Sequence, residues 1–199
     1  MTAQPDPKNT LNELLDSARP EPERIAALLD GLSHGERLHV VLSLRSKQLQ
    51  ALYQCVAGFQ RLGLADLVPQ GSVPLSPVRH YGRNSLPLFT RFEKRFYRLP
   101  DAAAVGGANF QSTSWLTGPG YFVAHPDERG EQIIIDYSEL PQQAPASWPA
   151  IRDNAHGVSR LVFGGMTDTL RRVSQHVSIG AAAKRGESIN AYFVLCREA

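Results

Sequence analysis

The sequence predicts an α+β protein in which a small N-terminal helical bundle is followed by an antiparallel β-barrel. Leucine-rich segments with helical spacing occur between residues 10 and 59. From residue 78 onward, apolar and polar residues alternate in short segments separated by glycine- and proline-containing turns. Consecutive strands without intervening helices usually form a sandwich or a barrel. We therefore divide the chain into a helical module at residues 1–67, a proline-rich linker at 68–78 and a barrel domain at 79–199.

Composition and charge are those of an ordinary globular protein. The 199 residues are 42% hydrophobic and 20% charged, which suffices for one main core. The formal net charge of +2 is too small to indicate a nucleic-acid partner. No stretch approaches the roughly 18–20 apolar residues of a membrane span, and the first residues lack the pattern of an export signal. We expect a cytoplasmic protein with no nucleic-acid partner and no membrane span.

Four short helices are predicted in the N-terminal module. Thr10 and Ser33 are each followed by a glutamate three residues later, which is the capping-box pattern that opens a helix. Pro22 suits the first turn of the second helix, where its missing N–H costs nothing, and Ser46 is placed to cap the fourth. Helices this short are marginal alone, so we expect their leucine faces to pack against one another or against the barrel.

Strand patterns dominate the rest of the chain. A stretch that fits a helical period, Met166 to Val177, is interpreted as strand because its valines are β-branched. In the first strand, Thr90, Phe92, Lys94 and Phe96 form the more apolar row, which we assign to the core. The opposite row, from Arg91 to Tyr97, is assigned to a solvated face. The clearest strand segments are Phe89–Arg98, Tyr121–His125, Gln132–Tyr137, Leu170–Ile179 and Asn190–Arg197.

Several short motifs from residue 91 to the end resemble those of bacterial lipocalin-like (calycin-type) β-barrels. The resemblance implies a closed antiparallel barrel with a cavity for a small, mostly apolar ligand. Eight strands would leave an interior about wide enough for one such molecule. The motifs are Lys94-Arg95-Phe96, Gly107-Ala108-Asn109, Ile135-Asp136-Tyr137, the spaced residues Asp168, Arg171 and Val173, Ile179-Gly180, and Tyr192-Phe193-Val194-Leu195.

Seven residues are candidates for ligand binding. His80 and Arg83 lie in a polar cluster before the first core strand, where they would orient a ligand at the cavity mouth or simply cap a turn. Trp115 and Tyr137 would line an aromatic pocket or fill the core. Asp136, if it points inward, needs a cation, which Arg171, Arg172 or His176 could supply. The pair would be a structural ion pair or, with His176, a general base. Asn109 belongs to the motif set of the resemblance.

No motif for a defined reaction is present, so the catalytic residues remain unassigned. The chain lacks a Gly-x-Ser-x-Gly nucleophile motif and a phosphate-binding loop. Its histidines and its two cysteines are not spaced as metal ligands. We expect neither a metal nor a cofactor.

Three functions fit these observations. The first is a binding protein that holds a small lipophilic or aromatic molecule in the barrel. The second is an interaction protein whose N-terminal helices dock a protein partner, which requires an exposed apolar stripe on residues 38 to 59. The third is a cofactor-free isomerase, cyclase or hydrolase, which requires a titratable pair facing the cavity. We favour the binding protein and lean against an enzyme.

Overall fold

The structure is a computed structural model that describes residues 5–87, 90–100, 104–110, 120–151 and 163–198. It confirms the α+β fold, with helices mainly at the N-terminus and a closed antiparallel barrel after them. No helix in the described ranges has the length and apolar character needed to cross a membrane. The helices are α1 (Pro7–Asp16), α2 (Pro22–Gly31), α3 (His34–Val41), α4 (Ser46–Cys55) and α5 (Leu64–Leu67), and the strands are β1 (Val78–Asn84), β2 (Arg91–Arg98), β3 (Val105–Phe110), β4 (Tyr121–Pro126), β5 (Ile133–Asp136), β6 (Met166–Arg172), β7 (Val177–Lys184) and β8 (Glu187–Arg197).

The barrel is formed by strands that pair in sequence order. Each of the eight strands found in the described part of the chain is antiparallel to its neighbours, and β1 closes the sheet against β8. The connections therefore alternate between the two ends. The predicted continuous strand Leu170–Ile179 is wrong, because the backbone N–H groups of Val173 and Ser174 both donate to Val177 O in a tight turn between β6 and β7.

Two of the predicted helix starts are confirmed and two are wrong. Pro22 begins α2, and Ser33 and Glu36 form a reciprocal capping box at the start of α3. The first helix instead begins after Asp6, whose side chain accepts from the Lys8 backbone N–H at 3.0 Å. Ser46 begins α4 but forms no cap, because its hydroxyl donates to the Ser85 carbonyl at 2.9 Å.

The helices cover the outer face of β7 and β8. The leucines of α1 to α4 pack against Ile179 and Val194 in one cluster, which we call the outer core. Buried residues of this cluster are aliphatic except for Cys196. Burying one leucine side chain is worth about 2 kcal/mol, and this packing stabilises helices that are too short to persist alone. The stripe between residues 38 and 59 is thereby covered rather than exposed.

The barrel interior contains a second cluster, which we call the inner core. It is rich in aromatic rings, among them Phe96, Phe122 and Phe193. At the end formed by the β2–β3, β4–β5 and β6–β7 connections, Leu67 from α5 packs into this cluster. His80 is buried at the same end and its Nε2 lies 2.9 Å from Leu67 O. We call this the closed end and the opposite one, which carries the β1–β2, β3–β4, β5–β6 and β7–β8 connections, the far end.

Three glycines make room for interior rings. Phe92, Phe122 and Phe193 each lie over the glycine paired with them on the neighbouring strand. A Cβ added to any of these glycines would lie only 2.3–2.6 Å from ring carbons. The bare backbone lets the rings lie close to the barrel wall, and the centre of the barrel is left for other side chains. The pairs are Gly82 with Phe92, Gly107 with Phe122, and Gly180 with Phe193.

Candidate functional site

A buried lysine lies at the centre of the barrel. Lys94 is on the interior row of β2, as the alternation predicts, and it is 2% exposed. Its ammonium group donates to Asn109 Oδ1 at 2.9 Å, to Asp168 Oδ2 at 3.0 Å, and to the Tyr137 hydroxyl. A lysine ammonium has three N–H groups. All three are therefore used within the protein.

The partners of Lys94 are also bonded to one another. The Tyr137 hydroxyl donates to Asp168 Oδ2 at 3.0 Å, and Asn109 Nδ2 donates to the same hydroxyl at 3.0 Å. The sheet register creates this arrangement, since Asn109 is paired with Lys94 across β2 and β3 while Asp168 is on β6. We call these four residues the polar network. Buried networks with most of their hydrogen bonds made are rigid and hold their groups in one geometry.

Aromatic rings surround the ammonium group. Lys94 Nζ lies 5.0–5.9 Å from the ring centres of Phe92, Phe122, Tyr137 and Phe193. Ring faces attract a cation at such distances, by about 2 kcal/mol or more when water is excluded. These rings therefore help to compensate the lost hydration of the ammonium group.

Burial perturbs the titration of the network. Burial lowers the pKa of Lys94 from its ordinary value, and the adjacent Asp168 carboxylate only partly restores it. Burial and the same carboxylate raise the pKa of Tyr137 well above its usual range, so the phenol is neutral at physiological pH. At the closed end, burial lowers the pKa of His80 to about 4, which leaves that imidazole uncharged.

An apolar cavity of about 150 Å³ lies between the polar network and the far end of the barrel. The network forms its floor, and Phe92, Phe163, Ala182 and Phe193 contribute to its walls. Among the described residues that line it, Lys94 and Asp168 alone carry ionisable acid or base groups apart from tyrosines. The arrangement presents a small, defined set of polar atoms at the bottom of an otherwise apolar space.

Two of the predicted binding residues meet in this site. Asn109 and Tyr137 both belong to the polar network and both line the cavity. Trp115 lies outside the described residues. The remaining four candidates lie elsewhere and are not brought together with these two.

His80 and Arg83 lie on opposite faces of β1, and neither of them lines the cavity. His80 is buried at the closed end, and the Arg83 guanidinium donates to the Leu42 carbonyl at 2.9 Å on the helical side. Arg171 also faces the helices, where it donates to Tyr53 O at 2.8 Å and stacks on the Tyr53 ring. His176 is in the β6–β7 turn, 3.3 Å from Arg197 Nη2.

The predicted partnership of Asp136 is not formed. Asp136 Oδ1 accepts from the backbone N–H and the hydroxyl of Ser138, at 2.7 and 2.6 Å. The interior acid is Asp168, and its cation is Lys94. Tyr97, predicted on a solvated face, is instead buried, and its hydroxyl donates to Gln143 O at 2.7 Å.

Sequence reasoning placed Lys94 in the core row but did not treat it as a site residue. A signal was available, because a lysine between Phe92 and Phe96 on an interior row requires a buried acceptor. Asp168 is the matching residue, since it stands on the inward row of β6 next to Leu170.

The fold and the site together are those of a closed antiparallel barrel with a buried lysine–aspartate pair at the floor of an apolar cavity. No protein-family model matches this chain. No curated protein matches it either.

Proposed function

We propose that this chain is a lipocalin-like binding protein that holds one small, mostly apolar molecule in the barrel cavity, above the polar network. The observation that carries the proposal is the buried Lys94–Asp168 pair at the floor of an apolar cavity. Sites for small molecules combine apolar walls with a few convergent polar groups. This cavity has that composition.

The stability of the barrel gives no reason for such a pair. Replacing a buried ion pair by well-packed apolar residues is often neutral or stabilising by about 1–4 kcal/mol. Filling the centre with leucine and phenylalanine would therefore suffice for a purely structural barrel. The retained network, with its fixed geometry and shifted pKa values, supports a binding role.

The size and the access of the cavity support the same role. An engineered apolar cavity of about 150 Å³ binds benzene, and the cavity here has a similar volume. Among the described residues, Leu67 and His80 fill the closed end, and the cavity lies toward the far end, where Leu86 and Ile189 line it. A pocket that is filled at one end holds a ligand better than a pore that passes through the barrel.

An enzyme on the same scaffold is the second candidate, and one observation favours it. A titratable pair, Lys94 and Asp168, lines the cavity, and the Tyr137 hydroxyl bridges its two members. Proton transfer between a bound molecule and Asp168 is within the chemistry of these groups. The partner-docking alternative has less support, because the stripe on residues 38 to 59 is buried in the outer core.

The proposal is tested by identifying what the full chain retains. Native mass spectrometry of protein purified from its source cells, followed by extraction, should give one small molecule per chain. The extracted molecule is then added back to the protein. Recovery of a chemically altered molecule would instead indicate turnover by an enzyme.

A matched pair of variants locates the binding. Ala182→Leu fills the cavity wall and should abolish retention, whereas Ala183→Leu, next to it on the outward row of β7, should not. Retention that survives in Ala182→Leu would show that the molecule binds outside the barrel.

A further inference from the structure

Resting on the proposed binding function, the structure assigns a ligand class: we infer that the molecule is uncharged and carries one hydroxyl group, as a phenol does. Its hydroxyl would donate to Asp168 Oδ1 and accept from Asn109 Nδ2, with its ring among the aromatic walls. Three independent features lead to this class: the net charge of the floor, its unused hydrogen-bonding atoms and the shape of the walls.

The floor of the cavity has no net charge to offer. Lys94 and Asp168 sum to zero whether the shared proton is on the amine or on the carboxylate, and Tyr137 and Asn109 are neutral. The other cavity-lining residues in the described ranges carry no acid or base except a second tyrosine, Tyr192. A carboxylate or phosphate entering this space would lose its hydration without gaining a counter-charge, which is strongly unfavourable. The cavity therefore excludes anions although it contains a lysine.

On the floor of the cavity, one donor and one acceptor are left for a ligand after the hydrogen bonds within the polar network are counted. All three N–H groups of Lys94 are used, and both network bonds to Asp168 end on Oδ2. Asp168 Oδ1 forms no hydrogen bond with the described residues. Asn109 uses one of its two amide N–H groups, on the Tyr137 hydroxyl. A hydroxyl group satisfies both remaining atoms, because it donates one hydrogen bond and accepts others.

The walls favour a flat ring. Phe92 and Phe193 stand edge-to-face with their centres 5.9 Å apart, and Phe163 stacks on Tyr137 at 5.3 Å. Rings pack on such surfaces in offset or edge-on contacts. A hydroxylated ring thus places its polar atom on the floor and its apolar edges against the phenylalanines.

The test uses matched neutral and anionic probes in two sizes with the full chain at pH 7. The series are phenol, toluene and benzoate, and 2-naphthol, 2-methylnaphthalene and 2-naphthoate, with binding measured by calorimetry and thermal shift. A hydrogen bond to a charged group should favour the hydroxylated member over its methyl analogue by roughly tenfold to a hundredfold. The carboxylate should bind weakest.

Each outcome separates this inference from the proposed function. Equal binding of the methyl and hydroxyl members would overturn the ligand class and leave the binding function standing. Tightest binding by the carboxylate would overturn the charge argument. Failure of all six probes would count against the cavity as a binding site, and thus against the proposed function itself.

Two variants test the charge argument directly. Asp168→Asn leaves Lys94 without its counter-charge, so the preference should reverse in favour of the carboxylate. If that variant does not fold, the double variant Lys94→Met/Asp168→Leu removes both charges but keeps Asn109 and Tyr137. The hydroxyl preference should then fall to that of a neutral hydrogen bond, about tenfold or less, while the methyl analogues still bind. A hydroxyl preference as large as that of the wild type in the double variant would contradict the assignment of the Asp168 carboxylate as the acceptor.

Discussion

The outer core and the inner core of this protein are built from different residues. The buried residues of the outer core, between the helices and the outer face of β7 and β8, are aliphatic apart from Cys196, and its aromatic side chains are only partly buried. The inner core is rich in aromatic rings and surrounds a lysine and an aspartate. The first arrangement maximises burial and serves stability. The inner core instead holds a fixed pair of charged side chains at the expense of apolar packing. This difference indicates that the functional site lies in the barrel interior.

The largest effect should come from breaking the polar network on one side. Asp168→Ala leaves the Lys94 ammonium buried without a counter-charge, and we expect a loss of about 4 kcal/mol in the free energy of unfolding. Urea denaturation at pH 7 measures this loss. Lys94→Met/Asp168→Leu should recover most of it. A single variant as stable as the wild type would show that water reaches the network.

A truncation in the outer core should separate stability from binding. Leu49 is fully buried in that cluster. Leu49→Ala should destabilise the protein by about 3 kcal/mol through lost burial and a cavity. Its affinity for 2-naphthol, measured where the protein remains folded, should equal that of the wild type. A parallel loss of affinity would mean that the helices shape the barrel interior.

The smallest effect, taken over a single pH unit, concerns His80 at the closed end of the inner core. The pKa of His80 is about 4 in the folded protein, against an ordinary value of 6.5. Between these values the unfolded chain takes up a proton that the folded chain does not. Stability should therefore fall, as pH decreases through this window, by about 1.4 kcal/mol for each pH unit from this group.

Denaturation series at several pH values test this effect against matched variants. His80→Gln should remove this part of the slope, whereas His125→Gln, at a half-exposed histidine, should keep it. Identical slopes in His80→Gln and the wild type would show that the imidazole is not buried in solution.

The sequence predicted those features of the fold that depend on local pattern. Helical spacing of leucines predicted α1 to α4, and the alternation on β2 placed Lys94 inside the barrel. The break between β6 and β7 was missed because Val173 and Val177 are good strand residues on both sides of the turn. Residue propensities do not reveal a chain reversal when the turn contains neither glycine nor proline.

Half of the candidate site depended on information that is not local. Asn109 and Tyr137 were predicted as binding residues, but Lys94 and Asp168 were not. The two charged residues are 74 positions apart, and alternation indicates only which side of a strand each residue faces. Their meeting depends on the register of β2, β3, β5 and β6 around a closed barrel, which no single strand pattern contains.

The phenylalanine–glycine pairs also constrain how this barrel can diverge. Each ring occupies the volume that a side chain would need on the paired strand, so the glycine cannot gain a side chain while the phenylalanine stays in place. A relative that gains a methyl group at Gly180 must carry a smaller residue at Phe193, and the same exchange applies to Gly82 with Phe92. Such relatives would have a differently shaped cavity next to the same lysine. Exchanges at these pairs are therefore a route by which the ligand selectivity of the barrel changes during evolution.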